Sequence, residues 1–267
     1  MSSSKRPDTR IVHTGSNPKA QKGVVNPPVY RASTVIFPTV QAMKDAEKNK
    51  FDTTFYGVHG TPTQFAFEDA MADVEGGYRA VSVSSGLAAI TTALITFLDS
   101  GDHLLMVDSV YGPTRNFCNT TLKSFGVETT YYDPMIDAGI EELIKPNTKV
   151  IFTESPGSYT FEIQDIPAIT KVARQHDIKV MIDNTWAAGY YFKPFDHGVD
   201  ISIQATTKYQ AGHADLIMGH IIANSEKDWR TIKANTATRG QAVSPDACYL
   251  GLRGLRTLSV RLEQHQE

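Results

Sequence analysis

The middle of the chain alternates short apolar runs with longer amphipathic stretches. RAVSV at 79–83 and HLLMVD at 103–108 are mainly apolar or β-branched, as in buried strands, and GLAAITTALITFL at 86–98 is long enough for a helix. An earlier helix is predicted to begin at Pro62 and to end at the glycine pair 76–77. The alternation continues with strands at 127–132, 149–154 and 178–183 and helices at 113–125, 136–144 and 166–176. This order predicts an α/β fold with a mostly parallel sheet and helices on both faces.

The pattern changes near the end of the chain. ISIQATTK at 201–208 begins as an apolar strand and ends on Lys208. DLIMGHIIA at 215–223 follows through a loop too short for a helical crossover, so we predict an antiparallel neighbour there. The last stretch, 245–267, carries leucines at helical spacing and predicts one long helix.

These patterns divide the chain into three parts. Residues 1–58 are polar and rich in turns, with one short β-like stretch at 33–37, and we expect them to form an N-terminal arm. Residues 59–244 are predicted to form the large α/β domain. The helix at 245–267 ends without a cap, so we expect a further segment to follow it.

Composition and charge indicate that the partner is a small molecule or another protein. The chain has 267 residues, 41% of them hydrophobic, and a net charge of −3. It has no dense block of Lys or Arg and no run of 18 apolar residues, so we expect neither a nucleic acid nor a membrane as a partner. Cys118 and Cys248 lie far apart without metal-ligand spacing, which predicts no disulfide, no metal site and a cytoplasmic location.

Residues with chemical potential follow the ends of the predicted strands, where ligands bind in open α/β sheets. Gly86 begins a helix whose N–H groups suit a phosphate, and Tyr111 follows the strand at 103–108. Asp183 and Lys208 end two later strands. Each alone has an ordinary structural explanation, as a turn glycine, a rim aromatic, a helix cap and a surface charge. Together they supply a phosphate cradle, a flat ring, a carboxylate and an amine, the groups that hold pyridoxal phosphate (PLP).

Seven further segments carry a family pattern: FYGVHGTPT, SSGLAA, LMVDSVYGPT, ESPGSYTFEIQDIPAI, MIDNTWAAGYYF, SIQATTKYQAGHAD and GLRGLRTLSVRLEQH. Through them the chain resembles the Cys/Met-metabolism family of PLP-dependent enzymes over roughly residues 10–267. Within it, DNTWAAG after MI favours the bacterial cystathionine β-lyase branch over the γ-lyases and γ-synthases. The resemblance implies the large domain of PLP-dependent aminotransferase-like folds, which in relatives is followed by a smaller C-terminal domain that this sequence does not include.

The same resemblance implies a role for each residue at the ring of the cofactor. Lys208 would bond covalently to PLP and act as the catalytic base. Asp183 would face the pyridine nitrogen, and Tyr111 would stack on the ring and assist catalysis.

A second group of residues would bind the cofactor phosphate. The resemblance implies this role for Gly86, the backbone of Leu87, and Thr207. Tyr56 would reach the phosphate of a neighbouring subunit, so we expect a homo-oligomer, a dimer or tetramer, with shared active sites.

One departure from the family concerns this phosphate group. Val58 stands two residues after Tyr56, where the family usually has an arginine that clamps the phosphate, and His59 follows it. Valine cannot donate a hydrogen bond and histidine is at best partly charged at neutral pH, so we expect weaker retention of PLP unless His59 or another cation substitutes.

The implied reaction is β-elimination of L-cystathionine to homocysteine, pyruvate and ammonia, a step of methionine biosynthesis. Two alternatives stay open. The cofactor residues do not distinguish β-elimination from the γ-elimination or γ-replacement of sister enzymes. The chain could also bind the cofactor without turnover, because relatives carry the arginine that grips the substrate carboxylate in the C-terminal domain.

Overall fold

The computed structural model describes residues 6–267. The strands are β1 (Arg79–Val83), β2 (His103–Val107), β3 (Glu128–Tyr132), β4 (Thr148–Glu154), β5 (Lys179–Asp183), β6 (Ile201–Gln204) and β7 (Gly219–Ala223). The helices are α1 (Pro7–His13), α2 (Val40–Lys48), α3 (Pro62–Glu75), α4 (Gly86–Phe97), α5 (Gly112–Phe117), α6 (Ile166–Gln175), α7 (Glu226–Thr238), α8 (Pro245–Leu255) and α9 (Leu258–Gln266).

The strands form one seven-stranded sheet in the order β1-β7-β6-β5-β4-β2-β3. The pairs from β6 through β3 are parallel, and β7 is antiparallel to both β6 and β1. The predicted mostly parallel sheet and the predicted antiparallel neighbour of β6 are therefore confirmed. Because β1 runs in the same direction as the parallel strands, the carboxyl ends of β1, β2, β4, β5 and β6 meet at one edge of the sheet.

Helices cover both faces of this sheet and enclose two hydrophobic cores. Adjacent residues of β7 divide between them, with Ile221 in the larger core and Ile222 in the smaller, as the alternation of side chains along a strand requires. Helices α4, α6 and α7 line the larger core, where Trp229 is fully buried. Helices α1, α3, α8 and α9 line the smaller core. The predicted cover on both faces is confirmed.

The strand that leads to Lys208 is shorter than predicted. β6 ends at Gln204, because the next residues bond outside the sheet. The N–H of Ala205 donates to Thr185 Oγ1 at 2.8 Å, and the N–H of Lys208 donates to the Ala205 carbonyl oxygen at 3.0 Å. Lys208 therefore lies in a turn after the strand and not in the strand itself.

Two predicted helices differ in type. The helix predicted at 113–125 becomes π-helical over Cys118–Leu122. The helix predicted at 136–144 is a 3₁₀ helix over Asp137–Leu143, which buries only Ile140 and so has little packing to favour α-helical geometry. Helix α7 was not predicted. In residues 6–267 no helix has the length and apolar character needed to cross a membrane.

The N-terminal arm and the C-terminal helix both differ from the sequence prediction. The predicted arm contains α1 and α2, and its described residues 33–37 form no strand. The predicted long helix at 245–267 is divided into α8 and α9. At the break, Arg256 donates to the Ile11 carbonyl oxygen at 2.8 Å and to Ser16 Oγ at 3.0 Å. Hydrogen bonds thus connect the break to the N-terminal arm. The boundaries of the three predicted parts stay predictions.

Candidate active site

A line of contacts along the sheet edge brings most of the predicted site residues together around Ala205. A Cβ placed on Gly86 would lie 2.6 Å from the Cβ of Ala205, so the start of α4 touches the chain after β6. The Ala205 N–H donates to Thr185 Oγ1, and the Thr185 N–H donates to Asp183 Oδ1 at 3.0 Å. Lys208 is hydrogen-bonded to the Ala205 carbonyl oxygen. Ala205 therefore links the regions of Gly86, Asp183 and Lys208.

The first turn of α4 has the properties of an anion site. Ser85 caps the helix, and its Oγ accepts from the Ala88 N–H at 3.0 Å. The N–H groups of Gly86 and Leu87 have no acceptor within the helix and lie at the positive end of its dipole. Gly219 packs against this turn, since a Cβ there would lie 2.3 Å from the Ser85 carbonyl oxygen. Gly219 and Ala205 therefore both contact the turn that carries the predicted phosphate cradle.

We expect Gly86→Ala to weaken the affinity for PLP, the predicted ligand, by about tenfold or more and to lower the free energy of unfolding by about 1–3 kcal/mol. The new methyl group would push α4 away from Ala205. Gly112→Ala is the matched control, because a Cβ on that helix-starting glycine meets nothing within 4 Å. Fluorescence titration with PLP and urea unfolding measure the two quantities. Equal affinities of the two variants would contradict the proposed cradle.

A carboxylate that the sequence analysis missed holds the chain at Tyr111. Glu154 ends β4 and pairs in register with Asp183 at the end of β5. Its Oε2 accepts from the Tyr111 N–H at 2.9 Å and its Oε1 from Ser158 Oγ at 2.5 Å. Glu154 ends its apolar strand as Asp183 ends the next, so the same signal could have found it. Through Glu154, the backbone of Tyr111 is connected to the end of β5, where Asp183 lies.

The two carboxylates form an acidic pair that the protein does not neutralise. Burial, and then the charge of Asp183, raise the pKa of Glu154 to about 8, although the hydrogen bonds from Ser158 and Tyr111 lower it. Burial also raises the pKa of Asp183, against the hydrogen bond from Thr185. No ion pair within residues 6–267 includes either carboxylate. A cation bound at this edge would therefore be stabilised.

We expect Glu154→Gln to make the cofactor-free protein more stable at alkaline pH relative to the parent. The folded state keeps a proton on Glu154 that the unfolded chain loses above a pKa of 4.5, so stability falls between 4.5 and about 8. The neutral amide mimics the protonated acid and removes this loss, on the order of 2–4 kcal/mol. Urea unfolding at pH 5.5 and 8.5 measures it, with exposed Glu142→Gln as the control. A parallel pH dependence of parent and Glu154→Gln would contradict the assignment.

Lys208 and Thr207 lie in the turn after β6. Lys208 is exposed. The Thr207 hydroxyl donates to the Met218 carbonyl oxygen and accepts from the Met218 N–H, both at 3.0 Å. Met218 precedes Gly219, which packs on the first turn of α4, so Thr207 lies on the side of the predicted phosphate cradle. Its direct contact with a phosphate stays a prediction.

Tyr56 and its neighbours lie apart from this line, on the arm. Tyr56 is 45% exposed and precedes a 3₁₀ helix at Gly57–His59. Burial, followed by the charges of Lys50 and Lys233, lowers the pKa of His59 and so favours its neutral ring. This direction opposes a role for His59 as the cation that Val58 lacks.

The residues at the sheet edge fit PLP. Its phosphate matches the glycine-lined first turn of α4. Its protonated pyridine nitrogen would supply the positive charge that Asp183 and Glu154 lack. Its ring matches the exposed aromatic face of Tyr111, and its aldehyde requires an accessible amine such as that of Lys208. Each part of the cofactor thus has a chemical counterpart at this edge.

An α/β domain with such groups at the strand ends is typical of PLP-dependent enzymes. The chain belongs to the Cys/Met metabolism PLP-dependent enzyme family, whose sequence pattern matches residues 8–267. This confirms the resemblance seen in the sequence.

Individual relatives agree with the family. The chain is 44% identical over 266 residues to the cystathionine β-lyase of Escherichia coli, covering 98% of this chain and 67% of that protein. It is 45% identical over 262 residues to the cystathionine β-lyase of Haemophilus influenzae, covering 97% of this chain and 66% of that protein. The crystal structure of cystathionine γ-lyase from Lactobacillus plantarum complexed with L-serine matches with a TM-score of 0.89 at 32% identity. The match covers 96% of this chain and 65% of that structure. The chain therefore spans about two thirds of the length of these proteins.

Proposed function

We propose that this protein is a carbon–sulfur lyase that uses PLP and water to convert L-cystathionine to homocysteine, pyruvate and ammonia. The observation that carries the proposal is the line of contacts that joins the regions of Gly86, Asp183 and Lys208 at one sheet edge. The β-lyase assignment is supported by 44% and 45% identity to relatives of that name.

In this proposal Lys208, Asp183 and Tyr111 divide the chemistry. Bound PLP supplies an electron-accepting ring that acidifies the Cα proton of an amino-acid substrate. Lys208 would hold the cofactor through Nζ and would serve there as the base for the Cα proton. The Asp183 carboxylate would keep a proton on the pyridine nitrogen. Lys208 or the Tyr111 hydroxyl would supply a proton to the departing sulfur.

Glu154 has a supporting role in the same proposal. Its Oε2 accepts from the Tyr111 N–H, so it fixes the loop that presents the aromatic ring. It is only 7% exposed and lies beside Asp183, which keeps this end of the site dry. A dry site strengthens the interaction of Asp183 with a positive ring nitrogen.

We further propose that the protein is a cytoplasmic homo-oligomer whose subunits share active sites. Tyr56 is exposed on the arm, where it is available to a neighbouring copy. Cys118 and Cys248 are free and buried, as suits a reducing compartment. Sedimentation of the parent and of Tyr56→Phe, together with PLP titration, separates assembly from phosphate binding.

The test is the identification of products formed from L-cystathionine in the presence of PLP. Pyruvate and homocysteine are expected. Lactate dehydrogenase detects pyruvate, and mass spectrometry identifies the thiol. Failure of the purified chain to bind PLP would overturn the proposal, and PLP binding without product would support a cofactor-binding protein without turnover.

A γ-lyase is the second candidate. A solved γ-lyase shares the fold with a TM-score of 0.89, and the residues around PLP serve both reactions. In that case cysteine and 2-oxobutyrate would form in place of homocysteine and pyruvate.

We expect Val58→Arg to increase the affinity for PLP by about tenfold, because a guanidinium can bind a phosphate in a bidentate manner. Lys233, another cation near Val58, is paired with Glu68 at 2.9 Å. Val58→Gln, which adds length without charge, is the control. Spectroscopic titration with PLP at 0.15 M salt measures the effect. An unchanged affinity in Val58→Arg would show that the missing arginine does not limit retention.

A further inference from the structure

A second buried carboxylate, Glu75, lies beneath the candidate active site at the end of α3. Glu75 is 2% exposed. Its Oε1 accepts from Asn184 Nδ2 at 2.6 Å and from Ser202 Oγ, and its Oε2 accepts from Gln204 Nε2 at 3.0 Å. These donors belong to β6 and to the residue after β5, so one side chain binds the two strands that lead into the site.

The contacts continue from Glu75 to the turn that carries Lys208. Gln204, which binds Glu75, also accepts through Oε1 from Gln210 Nε2 at 2.9 Å. Gln210 is buried and lies in the same turn as Lys208. On the other branch, Asn184 directly follows Asp183. The network thus reaches the chain next to the acid and next to the amine.

We propose that Glu75 is a positioning residue that fixes the segments of Asp183 and Lys208 relative to each other. The assignment of acid and amine rests on the proposed function, whereas the clamp itself rests only on these contacts. Burial raises the pKa of Glu75, and the hydrogen bonds from Ser202, Asn184 and Gln204 lower it. In its ionised form the carboxylate has no donor and accepts all of these hydrogen bonds at once.

The position of Glu75 makes this role specific to a carboxylate. A glutamine of the same shape would turn an NH₂ group toward Asn184, Ser202 or Gln204, so buried donors would face each other. Lys193 approaches from outside but donates to the backbone carbonyls of Val74 and Gly189, and so leaves the acceptor oxygens to the network.

The first experiment uses hydrogen exchange of the cofactor-free protein. In Glu75→Gln we expect the amides of 183–188 and of 205–212 to exchange at least about tenfold faster than in the parent, since each bond to a buried charge corresponds to at least that factor. Exchange of β2 and β4 serves as the internal reference, because global destabilisation would accelerate all of these segments together.

Glu68→Gln is the matched control. Glu68 lies on the same helix, is 1% exposed and accepts from Ser82 and Lys233, away from both segments. It should lower stability without the selective change. If Glu75→Gln fails to fold, Gln210→Met cuts the branch to the lysine turn and should accelerate 205–212 but not 183–185. Gln210 also donates to the Ala188 carbonyl oxygen at 3.4 Å, so this comparison leaves out the amides near 188.

The second experiment measures the cofactor. We expect Glu75→Gln to bind PLP about tenfold more weakly and to shift the pH at which the absorbance of bound PLP changes, while Glu68→Gln leaves that pH unchanged. The positioning role would be overturned if these segments exchanged in Glu75→Gln at the parental rate. It would also be overturned if Glu68→Gln accelerated the same segments to the same extent. A parent that does not bind PLP would refute the proposed function, and the exchange data alone would then decide the role of Glu75.

Discussion

Lys208→Ala is expected to reduce kcat/KM for the release of pyruvate from L-cystathionine by about 10³-fold or more. The substitution removes both the amine that holds the cofactor and the base that takes the Cα proton, and general-base catalysis alone contributes about 10²–10⁴. The turn itself should survive, because its bonds run through the backbone of Lys208 and Ala205. A coupled lactate dehydrogenase assay measures the rate.

Two measurements separate this role from a general effect of removing a lysine. Lys171→Ala removes an exposed lysine on α6 and should leave the rate unchanged. Borohydride reduction followed by peptide mass spectrometry should place a PLP adduct on the peptide that contains Lys208, and no adduct should form in Lys208→Ala. Elimination at the parental rate in that variant would refute the proposed chemistry.

The sequence was sufficient to predict the sheet edge because strand polarity determines where side chains gather. Gly86, Asp183 and Lys208 each follow an apolar run, and parallel strands place such positions on one side of the fold. The antiparallel direction of β7 was also predictable, because the loop between β6 and β7 is too short for a helical crossover.

The contacts between those positions could not be predicted, because they depend on register and on packing between distant segments. The charge of Asp183 raises the pKa of Glu154 only because the two residues pair across β4 and β5. Glu75 lies far from Gln204 in sequence and meets it only because α3 packs beneath β6. A local pattern of hydrophobicity contains neither relation.

The end of β6 shows a related limit. Thr207 is β-branched and continues the apparent strand, yet its hydroxyl binds Met218 and the chain turns before it. The hydrogen bonds that replace the strand pairing come from Thr185 and Met218, which lie outside the apolar run. The sequence therefore singles out Lys208 as a candidate but does not predict the turn in which it lies.

Asp183→Asn is expected to lower kcat for β-elimination by roughly 10²–10³-fold, in line with the loss of one preorganised electrostatic group. The amide can still accept from the Thr185 N–H, as Asp183 Oδ1 does at 3.0 Å, so the loop should keep its shape. It lacks the negative charge that keeps a proton on the pyridine nitrogen. PLP should still bind, because the predicted phosphate site and Lys208 are unchanged, while kcat falls.

The same variant has a second effect that does not depend on turnover. The charge of Asp183 contributes to raising the pKa of Glu154 to about 8. Without it the pKa of Glu154 should fall toward its usual value, and the loss of stability at alkaline pH should shrink in the cofactor-free protein. Exposed Asp99→Asn is the control for both measurements. If Asp183→Asn kept the parental kcat but flattened the pH dependence of stability, Asp183 would affect the protonation of Glu154 and yet not act on the ring nitrogen.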